Sequence, residues 1–554
     1  MKEKRIIYLI MGVSSILILL IGITTAWFTW QSETNTNVTF EVSGLNITST
    51  NTNITGTLYP TMDKNNGLVE EFTIKQNNNI ATPVCANITL TLTTLPTELN
   101  HESFRYKIYN GTNLVGSGNF ANTLEGETIT IATSQPITTT VSTYKLYIWI
   151  DGENYNNPLS MGGKTFLFKL GITANQQQNA CNPSIILDDS GANTPELVSG
   201  MIPIKYDGTK WVKASTTTAN DWYDYTNKMW ANAVMVTSGT RDTYMNARAG
   251  TTISEEDILA YYVWIPRYKY QLFNVDSTTM DPIEIQVEFE DGTPTKSTGT
   301  SNGEWLTHPA FTFGTDELSG IWVGKFEITG SASSPTIKPG LNILTSTNVY
   351  THFSVSQQFG TAAYLNNMGV SQVDAHLMKN IEWGAVAYLK QSKYGLGLTD
   401  IAVNNDNSRI TGGGTELSYV TNVAQTTTGN IYGVYDMSGG SDEYVMAASL
   451  ESGNTSIVYS SSGFTTDTLP FNSKYLDQYN YGSYNDYTRS ILGDAMGETT
   501  GWYSDANRLT YGTNTWITRG GWSGSGDSAG IFYFWVTKGA DDGGNGARST
   551  IAVY

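Results

Sequence analysis

Three acidic residues in the C-terminal half carry the side chains best suited to acid–base chemistry: Glu382, Asp436 and Glu443. Paired carboxyl groups can act as general acid and general base when their pKa values are moved toward the working pH. Acid–base catalysis at these residues is therefore the first hypothesis that the rest of the sequence has to support or weaken.

Histidines could supply a metal site, but they are few and widely spaced in this chain. The sequence contains four, at His101, His308, His352 and His376. None has a second histidine within one or two helical turns, the spacing that would place two imidazoles on one helix face. The pattern favours isolated polar or partly buried histidines over a clustered metal centre.

The two cysteines, Cys85 and Cys181, could form a disulfide in an exported chain. Cys85 comes just before residues 87–93 (NITLTLT), in which hydrophobic and polar residues alternate with the period of a strand. If that register extends back to Cys85, its thiol lies on the exposed face, opposite the hydrophobic residues, where Cys181 could reach it. Two unpaired thiols are an equally good interpretation of the sequence alone.

The composition indicates a large, acidic and β-rich protein. The chain has 554 residues, of which 39% are hydrophobic and 12% aromatic, enough to bury large cores in two or three domains. Thr, Asn, Ser, Gly and Tyr dominate the polar positions, as is typical of strands and turns. The 31 basic and 50 acidic residues give a net charge of −19, which repels phosphates and argues against a nucleic-acid partner.

The first 30 residues predict export from the cytoplasm. Basic residues within the first five positions precede an apolar run at residues 6–30, long enough to cross a membrane as a helix. Trp27 and Trp30 would then lie at the outer headgroups. A cleaved signal peptide is the alternative, because Thr24 and Ala26 offer small residues at a cleavage site. In either case the rest of the chain is expected outside the cytoplasm, on the cell membrane or secreted.

We divide the chain into four parts: a membrane segment at residues 1–32, a first domain at 33–175, a linker at 176–198 and a second domain at 199–554. In the first domain, short strands such as those at residues 144–150 and 165–170 are separated by turn signals, which predicts an all-β sandwich. Its beginning loosely resembles exported β-sandwich proteins of the camelysin and biofilm-matrix type. It departs from them in lacking a metal cluster, since His101 is its only histidine.

The second domain combines few helices with short strands and long loops, an α+β composition. Residues 261–268 and 321–328 predict buried strands. Helices are predicted at residues 356–368, ending at Gly369, and at residues 375–389.

Four collinear blocks in this domain resemble the formylglycine-generating enzyme superfamily, whose fold is a variant of the C-type lectin fold. Residues 323–329 (VGKFEIT) are similar to its GKYEVT strand and 377–383 (LMKNIEW) to its LPTEAEWE helix. Residues 433–444 (GVYDMSGGSDEY) are similar to GLYDMSGNVWEW, and RGGW at 519–522, followed by GAR at 546–548, to RGGSW and GFR. The resemblance implies an α+β, C-type lectin-like domain.

The resemblance does not extend to the catalytic groups of the family. Formylglycine-generating enzymes hold copper with a pair of cysteines between the last two blocks, and residues 522–546 contain none here. Related enzymes bind iron through clustered histidines, which this chain lacks. In this family residues such as Glu382, Asp436 and Glu443 mainly anchor loops, so the resemblance implies a domain that is not an enzyme. We expect no cofactor, although the fold is compatible with structural calcium.

The interval between the last two blocks has the composition of a binding surface. Ser, Gly and Asn make adaptable contacts while Tyr and Trp supply rigid contact area, as in antibody paratopes. The candidate ligand-binding residues are Ser523, Ser525, Asp527, Ser528, Tyr533, Trp535, Asp541, Asp542 and Asn545. A surrounding frame, consisting of Arg519, Gly520, Gly521, Trp522, Gly546 and Arg548, is expected to be structural.

Variable proteins of diversity-generating retroelements share this lectin-like fold and place their diversified residues in the same stretch, so the resemblance implies such a target protein. Four aromatic residues follow one another at 532–535, and strand alternation sends one pair inward and the other outward. We expect Tyr533 and Trp535 to face outward as anchors, because Tyr and Trp lead among binding hot spots. Phe532 and Phe534 then belong to the core.

Three functional hypotheses follow from the sequence. The first is a surface-anchored protein whose C-terminal lectin-like face binds an extracellular protein or glycan. The second is a structural surface or fibre protein, in which the sandwich assembles and the lectin-like domain decorates it. The third is an enzyme of the formylglycine-generating type.

Overall fold

The computed structural model describes most of the chain after residue 52. The described residues are 53–61, 63–76, 84–101, 103–111, 113–121, 123–152, 158–176, 181, 188, 190–218, 220–290, 296–366, 373–451, 458–459, 461–469, 474–481, 490–509 and 515–554, together with the backbone at 28–31, 38–42 and 45–49. The protein is mostly β, with 40% strand and 13% helix, several antiparallel sheets and few short helices. The prediction of a strand-rich chain is confirmed.

The chain separates into two compact units, Met1–Ile186 and Leu187–Tyr554. The division falls inside the segment at 176–198 that was predicted as a linker. The described ends of that segment nevertheless belong to the units. Gln176 ends a strand, and the buried carboxylate of Asp188 accepts hydrogen bonds from the backbone N–H groups of Ser190 (3.0 Å) and Tyr225 (3.2 Å).

The first unit consists of two sheets. Strands β1 to β12 are, in order, Phe28–Gln31, Val38–Val42, Leu45–Ser49, Asn53–Thr57, Pro60–Thr61, Leu68–Gln76, Val84–Thr94, Phe104–Asn110, Asn113–Asn119, Thr128–Ile137, Ser142–Asp151 and Thr165–Gln176. One sheet has the order β1-β12-β7-β10 with β4 also paired to β12, and the other has the order β2-β3-β6-β11-β8-β9 with β5 paired to β11. The short pair β5–β11 is parallel, whereas the long neighbours β7–β12, β6–β11 and β8–β11 are antiparallel.

Period-2 alternation directs side chains from both sheets of the first unit into one hydrophobic core. Ile88, Leu90 and Leu92 of β7 are all fully buried, as their alternation predicts. Phe104 of β8 contacts Phe166 of β12 across the core, with 5.2 Å between their ring centroids. The two sheets therefore share one core.

A disulfide joins Cys85 in β7 to Cys181, with their Cα atoms 5.6 Å apart. It confirms the pairing that the sequence left open. Cys85 lies on the face of β7 opposite Ile88, as the alternation predicts, but it is only 2% exposed because the bonded Cys181 covers it. The expectation that this face is open to solvent at Cys85 is wrong.

The first strand lies inside the apolar run that was predicted as the membrane segment. Residues Phe28–Gln31 pair with β12, and Trp30 is opposite Ile172 in that register. Trp30 therefore belongs to a sheet and not to the end of a helix at the headgroups. The rest of the predicted segment, residues 1–27, lies outside the described residues. Among the described residues, no helix has the length and apolar character needed to cross a membrane.

The second unit contains strands β13 to β31 and four α-helices among its described residues. The strands are Met201–Tyr206, Trp211–Lys213, Asn232–Val236, Ile258–Pro266, Tyr268–Gln271, Val287–Phe289, Trp305–Thr307, Thr312–Phe313, Asp316–Glu317, Gly320–Gly324, Thr329–Ser331, Ser334–Thr336, Val373–Leu377, Asp442–Glu451, Asp477–Tyr481, Trp516–Gly520, Gly530–Thr537, Asn545–Ala547 and Ser549–Val553. Helices α1 to α4 are Arg241–Asn246, Val349–Gln358, Asn380–Lys390 and Ser418–Thr421.

Two sheets organise the second unit. The larger has the order β14-β13-β15-β16-β22-β31-β25, so the last strand of the chain lies between β22 and β25. The smaller has the order β27-β26-β28-β29, with β30 paired to β26. The candidate binding stretch follows β28 and includes β29 and the start of β30, and the smaller sheet therefore fixes part of its backbone.

Two predicted helices are displaced in the structure. The helix predicted at 356–368 is α2, which begins after Asn348 because that side chain accepts a hydrogen bond from Thr351 N (2.9 Å) and caps the first turn. The predicted end of this helix at Gly369 lies outside the described residues. The helix predicted at 375–389 begins only at Asn380, because residues 373–377 pair with β31 as strand β25.

Candidate functional site

Arg519, the first residue of the predicted frame, is fully buried in β28 and links three segments of the chain. Its Nη2 donates to the carbonyl oxygens of Ala495 (3.0 Å) and Ile531 (3.2 Å), and its Nη1 donates to Asn380 Oδ1 (3.3 Å). The guanidinium stands 5.5 Å from the centroid of the Trp383 ring. A planar side chain with five donors can serve several acceptors in this way, and the expected structural role of Arg519 agrees with its contacts.

Arg548 occupies a comparable position at the other end of the frame. Its Nη2 and Nε donate to the two carboxylate oxygens of Glu443 at 2.6 and 3.1 Å. The same guanidinium donates to the carbonyl oxygens of Gly324 (2.8 Å) and Tyr435 (2.9 Å). Both partners of the ion pair are fully buried, so Glu443 is committed to Arg548 and is out of reach of solvent.

Two further carboxylates surround this ion pair. Asp436 accepts hydrogen bonds from Gly412 N and Asn404 Nδ2, both at 2.9 Å, and Glu327 accepts one from Ser441 N at 3.0 Å. Burial raises the pKa of Asp436 to about 6 and that of Glu327 well above its ordinary range. Because these fully buried groups hold backbone N–H groups in place, their geometry is that of loop anchors and gives no support to an acid–base pair.

Lys325 belongs to the same buried interior, although the sequence analysis did not single it out. Its ammonium donates to Asn232 Oδ1 (2.8 Å) and to the carbonyl oxygens of Ile431 (2.6 Å) and Gly433 (2.9 Å). The side chain is fully buried, and burial lowers its pKa well below the ordinary value. Three acceptors match the three donors of an ammonium group. A lysine inside a run of buried strand residues was the signal that could have identified it.

Glu382 and His376 form a second buried ion pair, between β25 and α3. His376 Nε2 lies 2.9 Å from Glu382 Oε1, and its Nδ1 lies 3.2 Å from Asp374 Oδ1. Burial disfavours the charged imidazole, but the two carboxylates outweigh it and raise the pKa of His376 to about 9. The other oxygen of Glu382 accepts a hydrogen bond from Lys379 N (2.8 Å), so Glu382 also caps α3.

The remaining histidines stay apart from one another. His308 and His352 are fully buried, and burial lowers their pKa values to about 3 and about 4. His101 belongs to the first unit, where its Nδ1 lies 2.9 Å from Ser103 Oγ. In the part of the chain that the structure describes, no group of three or more His, Cys, Asp or Glu side chains is arranged to hold a metal ion.

The three glycines of the frame are required by their surroundings. A β-carbon at Gly546 would collide with Ser441 Oγ and Glu327 Oε2, next to the buried carboxylates. Gly520 and Gly521 have φ values of +82° and +72°, a left-handed conformation that other residues adopt only at a cost. The chain therefore turns sharply out of β28 at this point.

Trp522 is the exception within the predicted frame, because its indole is 42% exposed. The two left-handed glycines before it bring the ring to the surface instead of into the core. The Arg409 guanidinium lies 5.8 Å from the centroid of the Trp522 ring. Trp522 was predicted to be structural, and its exposure places it on the accessible surface, unlike the two buried arginines of the frame.

The nine candidate ligand-binding residues divide into three groups by exposure. Asp527, Asp541 and Asp542 are exposed, Ser525, Ser528 and Trp535 are partly buried, and Ser523, Tyr533 and Asn545 are buried. The prediction of solvent-facing side chains is wrong for the last group. Ser523 N donates to Gly440 O (3.1 Å), and Asn545 pairs with Asp442 of β26. These backbone contacts draw both residues toward the sheet.

The aromatic alternation in β29 is as predicted, but only one of its two outer residues reaches solvent. Phe532 and Phe534 are fully buried, whereas Tyr533 and Trp535 stack on the opposite face with ring centroids 6.4 Å apart. Trp535 is partly exposed and has the Arg508 guanidinium 4.6 Å from its ring centroid. Tyr533 is only 7% exposed, and the prediction that it faces outward as an anchor is wrong. It is covered because it packs beside Gly521 and the Asp442 carboxylate.

Arg409, which lies beside the Trp522 ring, and Asp442 are connected through one turn, and the sequence analysis did not single them out. Arg409 Nη1 donates to Gly543 O, and Asp442 N donates to Gly544 O (3.1 Å), so both residues meet the same turn. Burial raises the pKa of Asp442 to about 6, and its hydrogen bond with Tyr533 opposes that shift. We refer to Trp522, Arg409, Asp442 and Ser523 as the Trp522 surface.

Three buried atoms of the Trp522 surface have no hydrogen-bond partner among the described residues. They are Arg409 Nε, Asp442 Oδ1 and Ser523 Oγ. Asp442 could have been identified from the sequence. It precedes Glu443 in β26, and because side chains alternate along a strand, the two carboxylates are expected on opposite faces. Arg409 lies in a loop without periodicity, and no sequence signal marks it.

A cleft of about 440 Å³ lies elsewhere in the second unit. Its lining is mainly aliphatic and includes Leu396, Ile401, Val403 and Val423. Asp400 contributes a carboxylate to the lining. The sequence analysis did not predict this cleft, because its residues come from loops that lack a hydrophobic period.

No protein-family model matches the sequence, and no curated protein matches it either. The function of the Trp522 surface and of the binding stretch therefore has to be inferred from their geometry and chemistry.

Proposed function

We propose that this protein is an exported, surface-associated ligand-binding protein whose C-terminal unit presents a binding face along residues 522–545. The observation that carries this proposal is the contrast between Arg519 and Arg548, which are fully buried, and Trp522, Asp527 and Asp542, which are exposed between them. A rigid scaffold held by buried side-chain contacts leaves the exposed side chains of its loops available for a partner.

The contacts of the frame support a C-type lectin-like fold related to the formylglycine-generating enzymes. Arg548, from the last block of the resemblance, bonds to Glu443 of the third block and to Gly324 of the first. Arg519 bonds to Asn380 of the second block. Four blocks that are distant in sequence thus meet in one buried network, which is expected if they define a common fold. The link to retroelement-diversified variable proteins rests on the same resemblance.

The location outside the cytoplasm is supported by the disulfide and by the N-terminal run. Disulfides persist in oxidising compartments, and the Cys85–Cys181 bond belongs to the first unit. With Phe28 already in a strand, residues 6–27 would still measure about 33 Å as a helix, enough to cross the hydrocarbon core. The first unit, which we assign as a β-sandwich, then follows the membrane segment along the chain.

The ligand class in this proposal is an extracellular protein or glycan, and catalysis is not part of it. Glu382, Asp436 and Glu443 are occupied by buried partners. The strongly negative net charge disfavours nucleic acid as a ligand.

A paired scan of the full chain tests the proposal. Each residue from 519 to 548 is replaced by Ala, or by Ser where Ala is native. Each variant is then measured for its unfolding temperature and for binding to arrays of oligosaccharides and extracellular proteins. We expect variants at Trp522, Asp527 and Asp542 to alter binding without unfolding the protein, and those at Arg519 and Arg548 to unfold it. If the exposed positions unfold the protein as severely as the two arginines do, the stretch is core and the proposal fails.

A topology experiment tests the export part separately. Protease added to intact cells that produce the full chain should remove most of the protein. Complete protection of the second unit would overturn the surface location while leaving the binding face untouched.

A further inference from the structure

The Trp522 surface combines an exposed aromatic ring with buried polar atoms whose hydrogen-bonding capacity is unused. The ring is 42% exposed, and Arg409 Nε, Asp442 Oδ1 and Ser523 Oγ are without partners in the described part of the protein. Most buried polar atoms in folded proteins are hydrogen-bonded, and those that are not call for an explanation. Satisfaction by a ligand is such an explanation here, because Arg409 lies beside the exposed Trp522 ring, Ser523 follows Trp522 in the chain, and Asp442 meets the same turn as Arg409.

The chemistry of the three atoms narrows the kind of ligand. Arg409 Nε can only donate a hydrogen bond, Asp442 Oδ1 as a carboxylate can only accept one, and Ser523 Oγ can do both. A hydroxyl group complements all three, because it donates and accepts at the same time. Adjacent hydroxyls on a sugar ring present this capacity in pairs, while the C–H face of the ring can pack on the apolar surface of an indole.

An extended peptide is a poorer match for the same atoms. Peptides that add to a sheet bind chiefly through backbone N–H and C=O groups at a strand edge. The backbone N–H groups of Ser523 and Asp442 are already bonded to Gly440 and Gly544, so these two residues offer no backbone donor to an added strand.

The charges around the surface exclude one class of sugar. Asp527, Asp541 and Asp542 are exposed along the same stretch, and the chain carries a net charge of −19. A field of this sign repels sulfated or carboxylated glycans. The surroundings therefore favour a neutral sugar.

We infer that the Trp522 surface binds a neutral oligosaccharide, with one sugar ring packed on the Trp522 indole and its hydroxyls paired with Asp442, Arg409 and Ser523. This inference rests on the proposed binding face and specifies its ligand class and its centre. Because the three atoms are buried in the free protein, binding requires side chains of this surface to move, among them Arg409, which lies over the indole. A cation over an exposed ring is held weakly, so this movement is readily compensated by the new contacts.

The test uses the purified full chain and a panel of neutral hexasaccharides: β-1,4-linked glucose, N-acetylglucosamine, mannose and galactose, and α-1,4- and α-1,6-linked glucose. A heparin hexasaccharide is the anionic comparison. Binding is measured by calorimetry and by tryptophan fluorescence. We expect at least one neutral hexasaccharide to bind and the heparin fragment not to bind.

The variants locate the site. Trp522→Ala should weaken binding at least about tenfold, as expected when an anchoring aromatic is removed. Asp442→Asn and Ser523→Ala should weaken it several-fold, and they serve as independent tests if Trp522→Ala alters the fold. Trp305→Ala is the matched control, because Trp305 in β19 is partly exposed and has Lys269 5.1 Å from its ring centroid. It should bind like the unmodified protein.

Three outcomes overturn the inference in different ways. If no hexasaccharide binds but a displayed peptide library yields ligands that Trp522→Ala loses, the sugar class is wrong and the proposed binding face stands. If a hexasaccharide binds equally well to the Trp522, Asp442 and Ser523 variants, the location is wrong. If neither panel yields a ligand, both the inference and the proposed function fail.

Discussion

Arg548 and Arg409 show how differently two regions of this protein use the same side chain. Arg548 is fully buried, shares two hydrogen bonds with Glu443 and donates to two carbonyl oxygens. Arg409 is only partly buried, donates to Gly543 and leaves its Nε without a partner in the described residues. Arg548 uses its donors to hold distant segments of the chain together, whereas the Arg409 side chain is left with a donor, free within the part of the chain that the structure describes, that the proposed ligand would bind.

In the second unit, therefore, a buried charged residue cannot be assumed to bind a ligand. A buried ion pair is not necessarily more stabilising than a hydrophobic pair of the same size, but removal of one member leaves the other charge stranded. Residues of the frame should therefore be intolerant of change without contacting a ligand. Substitutions on the Trp522 surface should leave the stability of the protein nearly unchanged and should alter ligand binding.

The largest expected effect is at Arg548. Arg548→Ala strands the Glu443 carboxylate and two buried carbonyl groups, and we expect it to lower the free energy of unfolding by about 3–5 kcal/mol. Urea unfolding monitored by tryptophan fluorescence measures the change. Arg409→Ala is the matched control and should stay within about 1 kcal/mol of the unmodified protein. Equal losses for the two variants would remove the distinction between the regions.

The second effect is a pH dependence of stability that comes from the buried ion pair of His376. The pKa of His376 is about 9 in the folded protein, against an ordinary 6.5. The protonated imidazole therefore stabilises the fold fully below about pH 6.5, and this stabilisation is lost as the pH rises through 9. The difference corresponds to roughly 3 kcal/mol.

Unfolding of the protein and of His376→Gln between pH 6 and 10 measures this contribution. Lys390, whose pKa burial lowers to about 8, titrates in the same window with the opposite sign, so the quantity of interest is the difference between the two proteins. Asp442→Asn, on the Trp522 surface, should leave the profile above pH 7 unchanged. A difference between protein and His376 variant that does not vary with pH would contradict the prediction.

A smaller loss is expected at Gly546, where space rather than charge is limiting. A β-carbon there meets Ser441 Oγ and the Glu327 carboxylate, so Gly546→Ala should lower the unfolding free energy by about 1–3 kcal/mol. Gly526→Ala is a useful comparison, because a β-carbon at Gly526 has nothing within 4 Å although its φ is +58°. It therefore reports the cost of backbone strain without collision. Thermal unfolding of both variants measures the cost of backbone strain at Gly526 and the cost of collision at Gly546. A loss of stability at Gly546 no larger than at Gly526 would show that the side chains around Gly546 can make room for a β-carbon.

The smallest effect on stability is expected at Trp522. Trp522→Ala removes a half-exposed ring and a weak contact with Arg409, so the unfolding free energy should change by no more than about 1 kcal/mol. The variant is measured in the same urea series as Arg548→Ala. A loss approaching that of Arg548→Ala would return Trp522 to the frame, where the sequence analysis first placed it.

Local sequence patterns were sufficient to predict several strands of the first unit. Alternation at residues 87–93 predicted the buried side of β7, and the turn signals around 144–150 and 165–170 predicted strands that the structure contains as β11 and β12. Period-2 alternation is a local property, and a sheet with one buried face reproduces it directly. The structural roles expected for Arg519 and Arg548 agree with their buried contacts.

Where a pattern depended on distant partners, the sequence was not enough. Residues 375–377 were predicted as the start of a helix, but they belong to β25 because β31, at the far end of the chain, supplies the neighbouring strand. Trp522 follows an arginine and two glycines and was assigned to the frame, yet the left-handed turn at the glycines carries its ring to the surface. The pairing of β25 with β31 joins residues far apart in the chain and cannot be seen in a local window.

The sequence by itself determined the strand-rich character of the chain, the alternating faces of β7 and β29, and the identity of the arginines that hold the last blocks together. Only the tertiary structure decided that Tyr533 is buried, that Cys85 and Cys181 are joined, and that Arg409 and Asp442 meet the turn at Gly543 and Gly544 beside Trp522. The physical reason is that exposure and hydrogen bonding are properties of groups brought together across the fold. The residues that cover Tyr533 and surround Trp522 come from loops and strands that no local period connects.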